Sequence, residues 1–96
     1  MEIKIIRMCT LSTAHITEKT NDLLAEWTYP SNESPIIVYE KEGGYFIHVP
    51  DDFDYEEMDL PEDIETIVAF AIGCGIDWIC LDRDGSIESM FPTYEW

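Results

Sequence analysis

Nine acidic residues fall within the sixteen positions from Pro50 to Glu65, and between Glu42 and Asp82 there are twelve acids with neither lysine nor arginine. Unpaired carboxylates cannot enter a core, because their desolvation costs far more than apolar burial returns. The run from Asp51 to Asp59 is therefore too polar for a core and is expected to be a loop. Like charges this close together also destabilise a compact fold. Such a surface either faces a basic partner or is merely tolerated.

The rest of the composition supplies a core. Apolar residues make up 46% of the 96 positions, including five Tyr, four Phe and three Trp, which argues against disorder. A chain of this length is expected to form a single domain, residues 1–96, that hides roughly two-thirds of its unfolded surface. A net charge of −16, from 21 acids against 5 bases, repels DNA, RNA and anionic lipid. Direct nucleic-acid binding and membrane binding are thus the expectations that composition rejects. Cys9, Cys74 and Cys80 are an odd set without a pairing pattern and read as free thiols of a reducing compartment. No signal sequence and no membrane-length apolar run is visible, so the expected location is the cytoplasm.

Ile3, Ile5, Ile6 and Met8, interleaved with Glu2, Lys4 and Arg7, predict a first strand ending near Cys9. Thr17 is the expected N-cap of a helix over 17–28, with Ile16, Thr20, Leu23, Leu24 and Trp27 on its inward face. Residues 36–39 and 45–49 flank the loop 40–44 as a hairpin, and Pro50 closes its second strand. Pro61 is expected at the first position of a second helix, whose stripe is Ile64, Ile67, Val68, Ala71 and Ile72. Gly73 or Gly75 is its left-handed exit. Ile76–Leu81 reads as a strand buried on both faces, with Trp78 in the core, and Asp84-Gly85 as the turn into a last strand at Ile87–Met90. The expected class is α+β, in the order β-α-β-β-α-β-β. An antiparallel or mixed sheet would carry two helices on one face, as in the ferredoxin-like arrangement. Other strand orders are compatible with the same elements.

Several segments resemble an uncharacterised bacterial family: Ser12-Thr-Ala-His-Ile-Thr17, Leu60-Pro-Glu-Asp63, Gly75-Ile-Asp-Trp-Ile-Cys-Leu-Asp-Arg-Asp-Gly85 and the closing Tyr94-Glu-Trp96. The family consists of short cytoplasmic proteins met on plasmids and other mobile elements, and it carries only a domain-of-unknown-function label. The resemblance spans most of the chain, and its Trp-Ile…Asp-Arg-Asp-Gly segment is the most specific part. It implies a bacterial accessory role and brings no site residue with it.

The expected binding surface is Asp51, Asp52, Phe53, Asp54, Tyr55, Glu56, Glu57, Asp59 and Glu62. Carboxylates strung along a loop and a helix start imitate a phosphate track, and would steer a basic protein onto this face. Phe53 and Tyr55 would anchor it, as aromatics do at interface hot spots. A solvated acidic loop whose aromatics tuck inward explains the same residues without a partner. Neither 51–59 nor 82–88 has the spacing of an EF-hand loop, so no dedicated metal site is expected.

A second expectation places a small enzyme or ligand site near Ser12 and His15. Ser12, Thr13, His15 and Cys9 contain a nucleophile and a base, although their spacing equally suits hydroxyls that tie down a turn before a helix. In a ferredoxin-like order the first and third strands are neighbours, which would bring His48 towards Cys9. No phosphate-binding loop, dinucleotide fingerprint or nucleophile elbow is present, and neither catalytic residues nor a cofactor are expected. A third expectation is a homo-oligomer using a sheet edge and the aromatics Tyr94 and Trp96.

Overall fold

A strand exists only where a neighbouring backbone completes its hydrogen-bond ladder, and this rule decides which expected strands form. The computed structural model describes residues 2–29, 34–51 and 59–96. Its elements are β1 (Met8–Ser12), a 3-10 turn (Thr13–His15), α1 (Glu18–Trp27), β2 (Val38–Lys41), β3 (Gly44–His48), α2 (Glu62–Gly73) and β4 (Trp78–Asp82). The sheet runs β1-β4-β3-β2, with β1 parallel to β4 and the other two pairs antiparallel. The fold is α+β, and the sheet is mixed.

Three expectations are corrected by that order. First, β4 lies between β1 and β3, so the first and third strands are not neighbours as a ferredoxin-like sheet requires. Second, β1 starts at Met8 rather than Ile3. The ladder with β4 begins at the Met8–Trp78 pair, and just before it the Arg7 N–H donates to the Asp77 carboxylate, 2.8 Å away. Ile3, Ile5 and Ile6 thus lie beyond the end of the sheet. Third, Ile87–Met90 is not a strand. Both sides of β4 are already taken by β1 and β3, so no edge is left for a hairpin partner. The turn itself is present: the Gly85 N–H donates to the Asp82 carbonyl, and the Asp82 carboxylate accepts the Asp84 N–H. Beyond it, the chain crosses the far end of β1, where the Ser12 N–H donates to the Ser86 carbonyl. Gly85 packs so closely there that a Cβ would sit 2.6 Å from the Leu11 carbonyl oxygen.

The helices obey their sequence signals closely. The Thr17 hydroxyl accepts the Thr20 N–H and caps α1, as the sequence predicts. Pro61 takes the extended N-cap position of α2 instead of its first turn, one residue from expectation. Glu62, Asp63 and Glu65 occupy the first turn of α2, where the helix dipole favours acids. Gly75, with φ of 68°, is the left-handed exit.

Leu24 of α1 and Ile64, Ile67, Val68 and Ala71 of α2 share one core with Leu11, Ile47, Val49, Ile79 and Leu81 from the sheet. Both helices therefore cover the same sheet face. On the opposite face stand Met8, Tyr39, Phe46 and Trp78. Trp78 is thus only half-buried, not a core residue on a doubly covered strand, and it stacks on Tyr39 with ring centres 6.0 Å apart.

The hairpin turn consists of Glu42 and Gly43, with Gly43 at φ 78°. Gly44 opens β3, and a Cβ there would fall 1.7 Å from the Leu81 carbonyl oxygen. With no side chain in between, the Lys41 ammonium reaches across to the Asp82 carboxylate at 2.5 Å.

Candidate functional site

The expected acidic surface is described only at its two ends. Asp51, Asp59 and Glu62 are exposed, whereas Asp52, Phe53, Asp54, Tyr55, Glu56 and Glu57 lie outside the described residues. Asp59 takes a φ of 45°, which turns the chain into the Leu60-Pro61 entry of α2. Of the nearby acids, Asp63 has a different role. Its carboxylate accepts the Thr17 N–H at 2.8 Å and the Thr20 hydroxyl at 2.9 Å, and so locks together the starts of both helices. The sequence-level signal was present in Thr17 and Thr20, but nothing in it named a partner 43 residues away.

Ser12 and His15 serve the turn that follows β1. The Ser12 hydroxyl accepts the Ala14 N–H and caps the 3-10 turn. His15 is 1% exposed, and both of its ring nitrogens are engaged by backbone. The Glu88 N–H donates to Nε2 at 2.9 Å, so Nε2 is the unprotonated nitrogen. Nδ1 therefore carries the proton and donates to the Pro92 carbonyl, also at 2.9 Å. The Phe91 ring meets the imidazole edge-on with centres 5.4 Å apart. This histidine clamps the segment after β4 onto the turn after β1.

His48 is on the opposite sheet face, edge-on to Trp78 at 5.0 Å. Ser12, His15 and His48 therefore do not meet in one pocket, and β4 separates His48 from Cys9. Cys9 lies half-buried beneath the sheet, and burial pushes its thiol up from the usual value, with Cys74 and Cys80 adding to the effect. Among the described residues no group of three His, Cys, Asp or Glu is placed to hold a metal ion.

A cleft of about 620 Å³ lies beside Ser12. One wall is the hairpin, with Lys41, Gly44 and Tyr45; the other is Arg83 and the C-terminal aromatics Tyr94 and Trp96. The tail is held there by its own bonds. The Tyr94 N–H donates to the Ala14 carbonyl, and the Trp96 indole N–H to the Ile16 carbonyl, 2.9 Å away. Two of the chain's five bases, Lys41 and Arg83, face this cleft. The hydrogen bond to Asp82 raises the Lys41 ammonium pKa, and the same bond, with the Asp84 N–H, lowers that of the Asp82 carboxyl. Burial pushes the Tyr45 phenol up, helped by Glu40 and Asp22, and its hydroxyl donates to the Asn21 carbonyl. The cleft's walls come from five separate stretches of chain, which is why no local motif announces it.

A second concavity, about 280 Å³, lies on the sheet face away from the helices and is lined by Ile6, Met8, Tyr39, Phe46 and Trp78 alone. No helix among the described residues is long and apolar enough to cross a membrane.

Fold and sites together define a class: a small, strongly acidic α+β domain with both helices on one face of a four-stranded mixed sheet and an exposed aromatic surface on the other. The chain belongs to a family of unknown function, DUF5983, whose C-terminal-domain model matches residues 8–96. Comparison with curated proteins and with solved structures returns no match.

Proposed function

We propose that this chain is a non-enzymatic protein-interaction module whose acidic face, residues 51–65, contacts a basic protein. One observation carries the reading: twelve acids and no lysine or arginine between Glu42 and Asp82. A solubility role needs far less charge of one sign, whereas a basic partner is captured fast by such a field. Asp51, Asp59 and Glu62 present exposed carboxylates at the two ends of the run, in keeping with this reading. In its sharpest form the module imitates nucleic acid and inhibits a nucleic-acid-binding protein on behalf of a mobile element. A bacterial cytoplasm is the setting, consistent with three thiols left unbridged.

The test is a tagged pull-down from nuclease-treated bacterial lysate at low and moderate salt, read by mass spectrometry. A basic protein captured by the wild type should be lost when Asp51, Asp52, Glu56 and Glu57 are all changed to lysine, and captured less at the higher salt. Equal capture by the reversed variant, or a blank at both salts, overturns the reading.

The cleft beside Ser12 favours a second reading, a small ligand-binding domain. It sets Arg83 beside Tyr45, Tyr94 and Trp96, with Lys41 paired to Asp82 and Glu40 at the rim, a lining suited to a ligand with an aromatic ring and one acidic group for Arg83. A thermal-shift screen of nucleotides and aromatic acids should then yield a stabilising compound whose effect disappears in Arg83→Ala. A screen without such a compound removes this reading.

A further inference from the structure

Residues 2–6 form an arm ahead of Arg7, which is the last residue held by β4. Ile3 is 81% exposed and Ile5 85%, while Ile6 is half-exposed and already reaches the rim of the apolar concavity on the sheet. Among the described residues nothing completes a backbone ladder for 2–6, because the pairing of β1 with β4 stops at Arg7. Yet Glu2-Ile-Lys-Ile-Ile6 is the most strand-like alternation before the hairpin. A β-competent apolar arm held in water is unfavourable unless something covers it.

The aromatic sheet face has the complementary deficit. Tyr39 is 56% exposed and Met8 46%, and with Phe46 and Trp78 they line a groove without a charged side chain among the described residues. At one edge of that face the Asp82 carboxylate is paired with Lys41. The face is thus an electrically quiet patch on a very acidic protein.

We infer that a second copy of this chain supplies the missing partner, the arm of each copy lying in the aromatic groove of the other. Three features on the molecule support that occupant. Residues 2–7 hold Lys4 and Arg7 against Glu2, a net charge of +1, whereas residues 8–96 hold three bases and twenty acids, −17. That segment is therefore the one stretch that another copy's body attracts instead of repelling. Residues 2–7 contain no glycine, proline, asparagine or aspartate to reverse the chain, so Ile3 and Ile5 cannot fold back into their own groove. Finally, Ile6 of the arm and Met8 of β1 both line the groove, so arm and groove adjoin, and a two-fold pair that exchanges arms closes at two copies.

The test is the solution mass by sedimentation equilibrium at about 0.15 M salt, where the Debye length is ~8 Å. The wild type should approach twice 11.1 kDa as concentration rises. The Ile3→Ser/Ile5→Ser variant should dissociate at least about a hundredfold more easily, since each dimer loses the burial of four isoleucines. Its monomer should unfold as the wild-type monomer does, because both side chains are solvent-exposed in the isolated fold. Tyr39→Ser, on the groove side, should weaken the dimer in the same direction. In a mixed sample of labelled and unlabelled protein, isotope-filtered NOEs should connect Ile5 methyls of one copy to the Tyr39 ring of the other. A wild type that stays at monomer mass, a dimer indifferent to the Ile3→Ser/Ile5→Ser change, or an absence of those NOEs overturns the inference.

Discussion

Gly44→Ala is expected to destabilise this protein by more than about 3 kcal/mol, at the upper end of what overpacking costs. The added Cβ would lie 1.7 Å from the Leu81 carbonyl oxygen and 2.7 Å from its carbon, both rigid backbone atoms in the centre of the sheet. Neither can yield without opening the β3–β4 ladder at the Gly44–Asp82 and Tyr45–Leu81 pairs. The same displacement would disturb the Lys41–Asp82 ion pair, which spans β2 and β4 across Gly44. Against a total stability of about 5–15 kcal/mol, such a loss leaves little folded margin. Urea denaturation measures it, and Gly73→Ala is the control. Gly73 closes α2 with open space where its Cβ would be, so alanine there should be neutral or add up to about 1 kcal/mol. If Gly44→Ala and Gly73→Ala behave alike, the close approach of β3 and β4 is not as described.

The second large effect is expected at His15. His15→Ala should cost about 3 kcal/mol, from a cavity at a fully buried site and from two backbone groups left unpaired. His15→Phe separates the two causes. It preserves most of the volume and the edge-on contact with Phe91, but leaves the Glu88 N–H and the Pro92 carbonyl without partners. An intermediate loss of about 1–3 kcal/mol is expected for that variant. In both variants the Glu88 amide should exchange with solvent far faster than in the wild type, since its acceptor is gone. A His15→Phe protein as stable as the wild type, with Glu88 still protected, would show that the histidine is not the clamp.

These two residues illustrate how unevenly the fold could be read from the chain. Local chemistry announced the Thr17 cap, a left-handed exit at Gly73 or Gly75, the Ile64–Ala71 stripe and a hairpin turn within residues 40–44, because each depends on atoms a few residues apart. The errors concern the edges and the faces of the sheet. Ile3–Ile6 has the alternation of a strand, but β4 does not extend far enough to pair with it. Ile87–Met90 follows a good turn signal, yet β4 has no free side to receive it. Trp78 sits in an apolar run and nevertheless stands on the uncovered face. Periodicity reports what a segment is able to do, while pairing depends on how many partners the sheet still has vacant.

The candidate sites divide along the same line. Acidity between Glu42 and Asp82 is a property of composition and needs no fold. Ser12 and His15 were recognisable as chemically interesting residues, but their roles were set by Ala14, Glu88 and Pro92, two of which lie more than 70 residues away. Asp63 looked like one acid among nine until Thr17 and Thr20 came to meet it.

By itself, then, the sequence determined the α+β class, both helices with their inward faces, the central hairpin and the sign of the charge, since helix periodicity, turn chemistry and ionisation are local. Only the tertiary structure decided the strand order, the start of β1 at Met8, the clamp made by His15, and the split between a helix-covered and an aromatic sheet face. Those depend on which backbone hydrogen-bonding edges are already occupied when distant segments meet, a quantity no single stretch of residues contains.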